Sequence, residues 1–167
     1  MNMHESIIMK SLLVAVFVAL LAPIASADSK QTIVMSFAED ALTGDPEPAC
    51  VALQLGTGLI MSGNADVTIF ATLGGVTIGS KDALDSTRLC EKVSQDGKLQ
   101  DPAPLSQVLT KYLDVGGAIL VCPLCWVARY GDLPGSGGDL IPPGKGNVKV
   151  ASPVPLLLSA DKVIHYQ

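Results

Sequence analysis

The chain has 167 residues, a length typical of a single domain. Hydrophobic residues make up 49% of it and charged residues only 16%, which excludes an intrinsically disordered protein, because disordered chains are polar and highly charged. The formal net charge is −5 and the sequence contains no cluster of Lys and Arg. Both features argue against a partner that is recognised through a phosphate backbone, so no nucleic-acid partner is expected.

The first 27 residues have the organisation of a secretory signal peptide. Lys10 precedes an apolar run of about a dozen residues, shorter than the roughly 17–25 residues that a membrane-spanning helix needs. Pro23 ends this run, and Ala25-Ser26-Ala27 has the small-residue pattern of a cleavage site. The sequence therefore predicts a signal peptide over 1–27, a mature domain over 28–167 with no stable membrane anchor, and a periplasmic or secreted location. An uncleaved anchor is the alternative.

The mature chain alternates short apolar strands with helices. In chain order, the predicted elements are a strand at 32–37, a helix at 49–61, a strand at 66–72, a helix at 105–113, a strand at 118–121, a helix at 124–130, a strand at 147–150, a helix at 153–158 and a strand at 162–166. Residues 81–104 are polar and turn-rich, and 131–146 form a loop rich in Gly and Pro.

This alternation predicts an α/β fold, a three-layer flavodoxin-like sandwich with a five-stranded, mostly parallel sheet covered on both faces. In such sheets, ligands bind beyond the carboxyl ends of the strands. Three segments are predicted at that edge: Ala38 to Pro48, Leu73 to Gly79, and Cys122 to Trp126. We expect the functional site among them.

The first and last predicted helices carry packing information. In the first, Val51, Leu55 and Leu59 recur every four residues, while Ala52, Gly56 and Gly58 leave another side small enough for close approach of a neighbour. In the last, the run Leu156-Leu157-Leu158 cannot point entirely inward, because successive helical residues are about 100° apart. An exposed apolar strip of this kind predicts a contact surface, and therefore an oligomer.

Cys122 and Cys125 form a C-x-x-C motif at the end of a predicted strand and the start of a helix. Unpaired backbone N–H groups and the positive end of a helix favour a thiolate at Cys122, and a thiolate is the nucleophilic form of cysteine. Cys125 lies one turn further, where it can close a disulfide, and Arg129 adds a cation on the same face. The motif predicts Cys122 and Cys125 as catalytic residues; a structural disulfide or two inert cysteines are the alternatives.

Other kinds of site have weaker support in the sequence. A closed zinc site needs four ligands, and Cys50 and Cys90 complete one only if the fold brings them to the C-x-x-C motif. His165 lies in a predicted strand, where packing or an edge position is the simpler interpretation. Cys50 is expected in the core and Cys90 in polar, exposed surroundings. No second cysteine pair at zinc spacing exists, so no metal is expected, and with no nucleophile elbow and no phosphate loop in the sequence, neither a hydrolase triad nor a cofactor is expected.

Several short segments follow one another in an order that is known from one protein family. They are Ala65 to Phe70 with the turn at Gly75-Val76, Gly117 to Cys125, Arg129-Tyr130-Gly131, Asp139-Leu140-Ile141, and Ala160 to Ile164. This ordered set resembles the DsrE/DsrF-like sulfur-relay family over nearly all of the mature chain. The resemblance implies a small α/β sandwich that assembles into homo- or hetero-oligomers, often trimers or hexamers, and a cysteine after the third strand that carries sulfur as a persulfide. Cys122 occupies that position, and Cys125 matches the C-x-x-C of some exported or peroxiredoxin-labelled relatives.

The motif and the resemblance together predict an exported sulfur-handling protein, a carrier or sulfurtransferase more than a turnover enzyme. Cys122 would accept sulfane sulfur, hold it as a persulfide and pass it on, with Cys125 as the resolving thiol. The predicted partners are sulfur donor and acceptor proteins or small sulfur compounds, and further copies of the chain in a trimer or hexamer, with the last helix or 131–146 at a contact. The alternatives are a thiol–disulfide oxidoreductase using the same pair, and a non-catalytic oligomeric binding module with a structural disulfide.

Overall fold

The computed structural model describes residues 29–93, 99–132 and 139–166, so the predicted signal peptide lies outside the described residues. In chain order, the elements are β1 (Gln31–Phe37), α1 (Glu47–Met61), β2 (Ala65–Ala71), β3 (Leu89–Val93), β4 (Leu99–Pro104), α2 (Leu105–Asp114), β5 (Ala118–Val121), α3 (Pro123–Tyr130), β6 (Asn147–Val150), α4 (Val154–Ser159) and β7 (Lys162–Tyr166). Two 3₁₀ segments, Leu73–Gly79 and Lys81–Asp85, follow β2. No helix within the described ranges has both the length and the apolar character needed to cross a membrane.

Five parallel strands form the central sheet in the order β6-β5-β2-β1-β7. The chain steps from β1 to β2, β5 and β6 in one direction, and then returns to place β7 on the other side of β1. Because such crossovers are right-handed, α1 and α2 lie on one face of the sheet and α4 on the other. This arrangement confirms the predicted α/β class and three-layer sandwich, and all five predicted strands are present.

The larger part of the core lies between the sheet and the two helices α1 and α2. The side chains of β1 and β2 that point to this face are buried, as are the residues of α2 at the predicted helical spacing. The largest core side chains of this layer include Met35, Phe37, Leu53, Ile69, Leu105, Leu109 and Tyr112. The amphipathic pattern of residues 105–113 is therefore confirmed as a core-facing stripe.

Small residues of α1, not its large apolar ones, make the closest contact with α2. A Cβ atom on Gly56 would lie 2.9 Å from the ring of Tyr112, so only glycine permits this approach. The Tyr112 hydroxyl lies 2.9 Å from the carbonyl oxygen of Ala118, to which it donates a hydrogen bond. Val51 and Leu55, which recur at helical spacing, are 42% and 44% exposed, because α2 packs against the small side of α1.

The layer on the opposite face of the sheet is thin. Its helix, α4, has six residues and none of them is buried. Leu158 is 83% exposed and Leu157 is 38% exposed, whereas Leu156 is half-buried. The sequence expectation that part of this leucine run faces outward is therefore confirmed.

Residues 81–104, expected from the sequence to be irregular, contain a β-hairpin in the structure. β3 and β4 pair antiparallel, with an irregularity between Cys90 and Lys92. The hairpin was not visible in the sequence because Pro102 and Pro104 interrupt the pattern of β4, and proline is unusual within strands. It rests on α1, where the Gln54 side chain donates a hydrogen bond of 2.8 Å to the backbone of Glu91.

A disulfide between Cys50 and Cys90 joins the hairpin to the first turns of α1. Both cysteines are fully buried, so the expectation that Cys90 is exposed is wrong: the hairpin folds this side of β3 onto the core. A cysteine that is bonded to another is not available to a metal, which removes the four-cysteine zinc site. In the chain-entropy account, closing a loop between residues 40 positions apart stabilises the fold by about 4 kcal/mol.

We predict that replacing both Cys50 and Cys90 by Ser lowers the free energy of unfolding by about 4 kcal/mol, because the unfolded chain regains the freedom that the cross-link removes. Urea unfolding without reductant measures this difference. The control is the double Ser variant at Cys122 and Cys125, which loses no disulfide and should stay within about 1 kcal/mol of the parent. Equal losses in the two double variants would contradict the assignment.

Candidate functional site

Cys122 occupies the junction between β5 and α3, as the sequence predicts. Its backbone is extended, with φ −61° and ψ 120°, and it is the N-cap residue of the helix. Pro123 explains this local geometry, since proline disfavours a helical conformation in the residue before it and fits the first position of a helix. The helix ends at Gly131, whose φ of 83° is in the left-handed region that glycine adopts without strain.

The two sulfur atoms of the motif lie side by side without a bond between them. Cys125 Sγ is 2.8 Å from Cys122 Sγ and donates a hydrogen bond to it, and the Cys125 backbone N–H lies 3.5 Å from the same sulfur. Both side chains are half-buried and neither takes part in a disulfide. Cys122 is thus the acceptor in this pair and Cys125 the donor.

The surroundings of Cys125 keep its thiol protonated. Burial raises its pKa, and the hydrogen bond to Cys122 and the proximity of that second sulfur raise it further. A backbone hydrogen bond from Leu73 acts in the opposite direction without cancelling these effects. A protonated Cys125 is the form that donates to Cys122, which fits a pair in which one thiol assists the other.

A groove of about 490 Å³ opens beside Cys125. Its walls are mostly apolar and come from the turn after β2 and from α3, and the lining residues are Leu73, Gly74, Leu124, Cys125, Ala128 and Arg129. Leu124 and Leu73, 82% and 66% exposed, stand at its margins. The groove therefore brings the Cys125 thiol, apolar surface and the Arg129 guanidinium together at a position open to solvent.

The turn after β2 approaches Cys125 through an unusual backbone conformation. Leu73 has a φ of 46°, in the left-handed region that a residue with a branched side chain rarely adopts. The next residues press against the loop after β1: the Gly75 N–H donates 2.9 Å to the Ala38 carbonyl, and a Cβ on Gly75 would lie 2.7 Å from the Phe37 oxygen. Backbone strain of this kind concentrates at functional sites.

Asp40, in the loop after β1, is a nearly buried carboxylate with many hydrogen-bond donors around it. Its Oδ1 accepts from the Leu42 N–H at 2.9 Å, the Thr43 N–H at 3.2 Å and the Thr77 hydroxyl at 3.0 Å. Its Oδ2 accepts from the Thr43 hydroxyl at 2.6 Å and forms an ion pair with Arg129. Asp40 thereby connects the loop after β1 to the 3₁₀ segment after β2 and to α3.

The hydrogen bonds around Asp40 determine its charge state. Burial alone would raise the pKa of this carboxyl, but the hydrogen bonds from Thr43, Leu42 and Thr77 outweigh burial and hold the pKa below its ordinary value of 3.8. Asp40 is therefore ionised at neutral pH, which is the state that the ion pair with Arg129 requires.

The structure brings together Cys122, Cys125 and Arg129, which were all singled out in the sequence, and adds Asp40. The sequence analysis placed residues 38–48 at this edge of the sheet. It did not identify Asp40 as the residue of that loop that pairs with Arg129. The spacing of Asp40 and Thr43, typical of a side chain that bonds the backbone two or three residues on, is the one signal that could have identified it.

His165 has a separate position in the fold. It lies on the edge strand β7, where its Nδ1 is 2.9 Å from the hydroxyl of Ser36 on β1. The imidazole is exposed, and it belongs to the opposite face of the sheet from the core against α1 and α2. The interpretation of His165 as an edge residue is confirmed.

The chain matches no protein-family model, and no curated protein sequence matches it. Among solved structures, it is similar to the YchN protein from E. coli, at 20% sequence identity, with 83% of this chain and 100% of that chain covered and a TM-score of 0.54. At this identity the similarity concerns the fold alone. It agrees with the DsrE-like fold expected from the sequence.

We predict that Asp40→Asn lowers the free energy of unfolding by about 2 kcal/mol at pH 7, because several donors lose a charged acceptor. The folded-state pKa of Asp40 is below 3.8, so its ionised form stabilises the fold above that pH, and the benefit is lost as the pH falls through the folded-state pKa. The difference between parent and variant should therefore shrink in acid.

Urea unfolding between pH 3 and pH 7 measures this effect, and Asp66→Asn is the matched control. Asp66 is exposed and its contact is an ion pair of 3.4 Å with Lys30, which contributes little. A pH-independent loss in Asp40→Asn, or an equal loss in Asp66→Asn, would contradict a stabilising role for the buried charge.

Proposed function

We propose that this protein handles sulfane sulfur. The Sγ atom of Cys122 carries the transferred sulfur, and Cys125 is the resolving thiol. The observation that carries the proposal is the sulfur pair itself, 2.8 Å apart, unbonded, at the carboxyl edge of a parallel sheet and beside an open groove. The DsrE-like fold fits a sulfur-relay role. A half-buried cysteine pair at such an edge is placed where ligands of α/β proteins bind.

The proposed reaction needs no metal or redox cofactor. The Cys122 thiolate attacks the outer sulfur of a donor, the donor's S–S bond breaks, and its electron pair leaves with the remainder of the donor. The product is a persulfide on Cys122. An acceptor thiolate then attacks the outer sulfur of that persulfide and releases Cys122 as a thiolate, so sulfur moves from donor to acceptor without net oxidation.

Cys125 offers a second outcome for the same intermediate. When its thiol loses its proton, Cys125 attacks the inner sulfur of the persulfide, hydrosulfide leaves, and a disulfide between Cys122 and Cys125 remains. An external dithiol must then reduce that disulfide before the next cycle. The raised pKa of Cys125 makes this path slow at neutral pH, which leaves time for transfer to an acceptor.

A thiol–disulfide oxidoreductase using the same two cysteines is the second candidate function. The short Sγ–Sγ distance favours it, because the pair needs only a small movement to form a bond. This candidate requires reversible exchange with a dithiol and no sulfur adduct on Cys122. Exposure to a sulfane donor therefore distinguishes the two functions. A sulfur carrier gains a sulfur adduct on Cys122, whereas the oxidoreductase does not.

The proposal includes an exported, oxidising location. Buried disulfides of the Cys50–Cys90 kind persist where thiols are not kept reduced, as in the periplasm or outside the cell. The signal-peptide pattern over 1–27 and the cleavage pattern ending at Ala27 support the same location. An oxidising compartment would also make the reduced state of Cys122 and Cys125 dependent on a dedicated dithiol partner.

We predict that Cys122→Ser abolishes sulfur loading, while Cys125→Ser still loads but, without the resolving thiol, forms no Cys122–Cys125 disulfide and releases no hydrosulfide by that path. The physical reason is that Cys122 stands at the start of the helix and its sulfur accepts hydrogen bonds from both the thiol and the backbone N–H of Cys125. Mass spectrometry after polysulfide treatment detects one added sulfur, about 32 Da, on the peptide that carries Cys122.

The Cys50 and Cys90 double Ser variant is the control, since those cysteines lie in the core and not at the groove. It should gain the same adduct as the parent. Equal adduct yield from the parent and from Cys122→Ser would contradict the assignment of the carrier, and a reversible disulfide with no adduct would support the oxidoreductase instead.

The proposal also includes assembly of the chain with copies of itself, as a trimer or hexamer. α4 and the neighbouring strand β7 present Val154, Leu158 and Val163 at 57%, 83% and 55% exposure, on the thinly covered face of the sheet. Apolar side chains gathered on one face are typical of a contact between subunits. The family resemblance favours a second copy of this chain as the occupant.

We predict that light scattering after gel filtration gives a mass several times that of one chain, and that Leu158→Glu shifts the protein toward monomer. A buried unpaired charge in an apolar contact weakens association by about 2 kcal/mol or more. Leu55→Glu is the control, because Leu55 is exposed on α1, on the other side of the sheet. A monomeric parent protein at micromolar concentration would contradict the assembly.

A further inference from the structure

We infer that Arg129 binds the negative end of a small anionic sulfane-sulfur donor, such as thiosulfate or a polysulfide, and so selects anionic over neutral donors at Cys122. The inference rests on the proposed function and specifies the class of substrate for that site. It makes Arg129 a specificity-determining residue and makes the groove beside Cys125 the place where the donor lies.

Arg129 lies close to Cys125 on the same helix. Arg129 follows Cys125 by one helical turn on α3, and both residues line the same groove of about 490 Å³. The remaining lining, from Leu73, Gly74, Leu124 and Ala128, is apolar and carries no charge. Among the described residues that line the groove, the cation that an anion meets is Arg129, one helical turn from Cys125, whose sulfur lies 2.8 Å from that of Cys122.

The guanidinium of Arg129 is suited to bind an anion. It carries five N–H donors in a planar fork and matches the oxygen atoms of an anionic group. Within the described residues, its hydrogen bond is from Nη2 to Asp40, which leaves other donors for a ligand. The side chain is 39% exposed, so these donors are accessible from the groove.

Asp40 positions Arg129 for this role. The carboxylate is itself held by Thr43, Leu42 and Thr77, so the guanidinium is attached to a fixed point and loses little further freedom when a donor binds. Asp40 also offsets part of the positive charge. We therefore expect Arg129 to contribute about tenfold to loading by an anionic donor, the equivalent of one hydrogen bond to a charged group.

The reaction with thiosulfate shows what Arg129 would stabilise. The Cys122 thiolate attacks the outer sulfur of thiosulfate, the S–S bond breaks, and its electron pair leaves with the sulfur that departs as sulfite. Cys122 keeps the outer sulfur as a persulfide, and the charge of the reactants equals the charge of the products. Negative charge accumulates on the leaving sulfite, and a nearby guanidinium lowers the energy of that charge.

The experiment compares an anionic donor with a neutral one. The rate at which Cys122 loses its free thiol is measured by mass spectrometry with thiosulfate and, separately, with dimethyl trisulfide. Arg129→Gln should be about tenfold slower than the parent with thiosulfate and within about twofold of the parent with dimethyl trisulfide. Arg129→Lys should recover part of the lost rate, since it keeps the charge but not the planar fork.

Lys111→Gln is the matched control, because it removes one positive charge from the exposed surface of α2 and leaves the groove intact. With both donors, Cys122 of this variant should lose its free thiol at the same rate as Cys122 of the parent. A urea unfolding curve of each variant reports whether it is folded.

Three results would overturn the inference. Arg129→Gln could lower the rate of Cys122 loading equally with both donors, which would assign Arg129 to the geometry of the cysteine pair. Alternatively, it could lower the rate with neither donor. The parent could also load from dimethyl trisulfide and not from thiosulfate, which overturns the anionic donor class and leaves the proposed function standing. A parent that gains no sulfur from either donor would instead contradict the proposed function itself.

Discussion

The buried carboxylate of Asp40 is the interaction on which the geometry of the candidate site depends. It connects its own loop after β1 to the 3₁₀ segment after β2 through Thr77, and to α3 through Arg129. A buried carboxylate without partners destabilises a fold strongly, so these donors must stay together in the native state. Because Leu73 and Arg129 lie on two of the elements held in this way, Asp40 indirectly sets the shape of the groove beside the sulfur pair.

The order of the strands explains why these residues meet at all. β1, β2 and β5 are neighbours in a parallel sheet, so the segments that follow them leave from the same edge. Asp40, Leu73 and Cys122 each follow one of these strands within a few residues. Parts of the chain that are some 30 to 50 residues apart in sequence are thus neighbours because of the parallel topology.

The two cysteine pairs of this chain show how environment divides the roles of one residue type. Cys50 and Cys90 are fully buried, bonded to each other, and attach the hairpin to α1. Cys122 and Cys125 are half-buried and unbonded; Cys125 lines the groove, and its sulfur lies 2.8 Å from that of Cys122. A fold shared with a protein at 20% identity does not assign an activity, because activity belongs to the residues placed on a fold. The contrast between the two pairs is what directs the functional proposal to Cys122.

The sequence by itself determined the alternation of strands and helices, the position of Cys122 between β5 and α3, and the exposure of part of the leucine run in α4. Each of these follows from local periodicity or from proline and glycine at fixed offsets, which act over a few residues. Tertiary structure alone decided the hairpin at β3 and β4, the Cys50–Cys90 disulfide, the buried side of α1 and the ion pair of Asp40 with Arg129. The disulfide and the ion pair join residues 40 and 89 positions apart, and the buried side of α1 depends on which neighbour the helix meets, so no local pattern contains that information. The hairpin joins nearby residues, but Pro102 and Pro104 interrupt the strand pattern that would predict it.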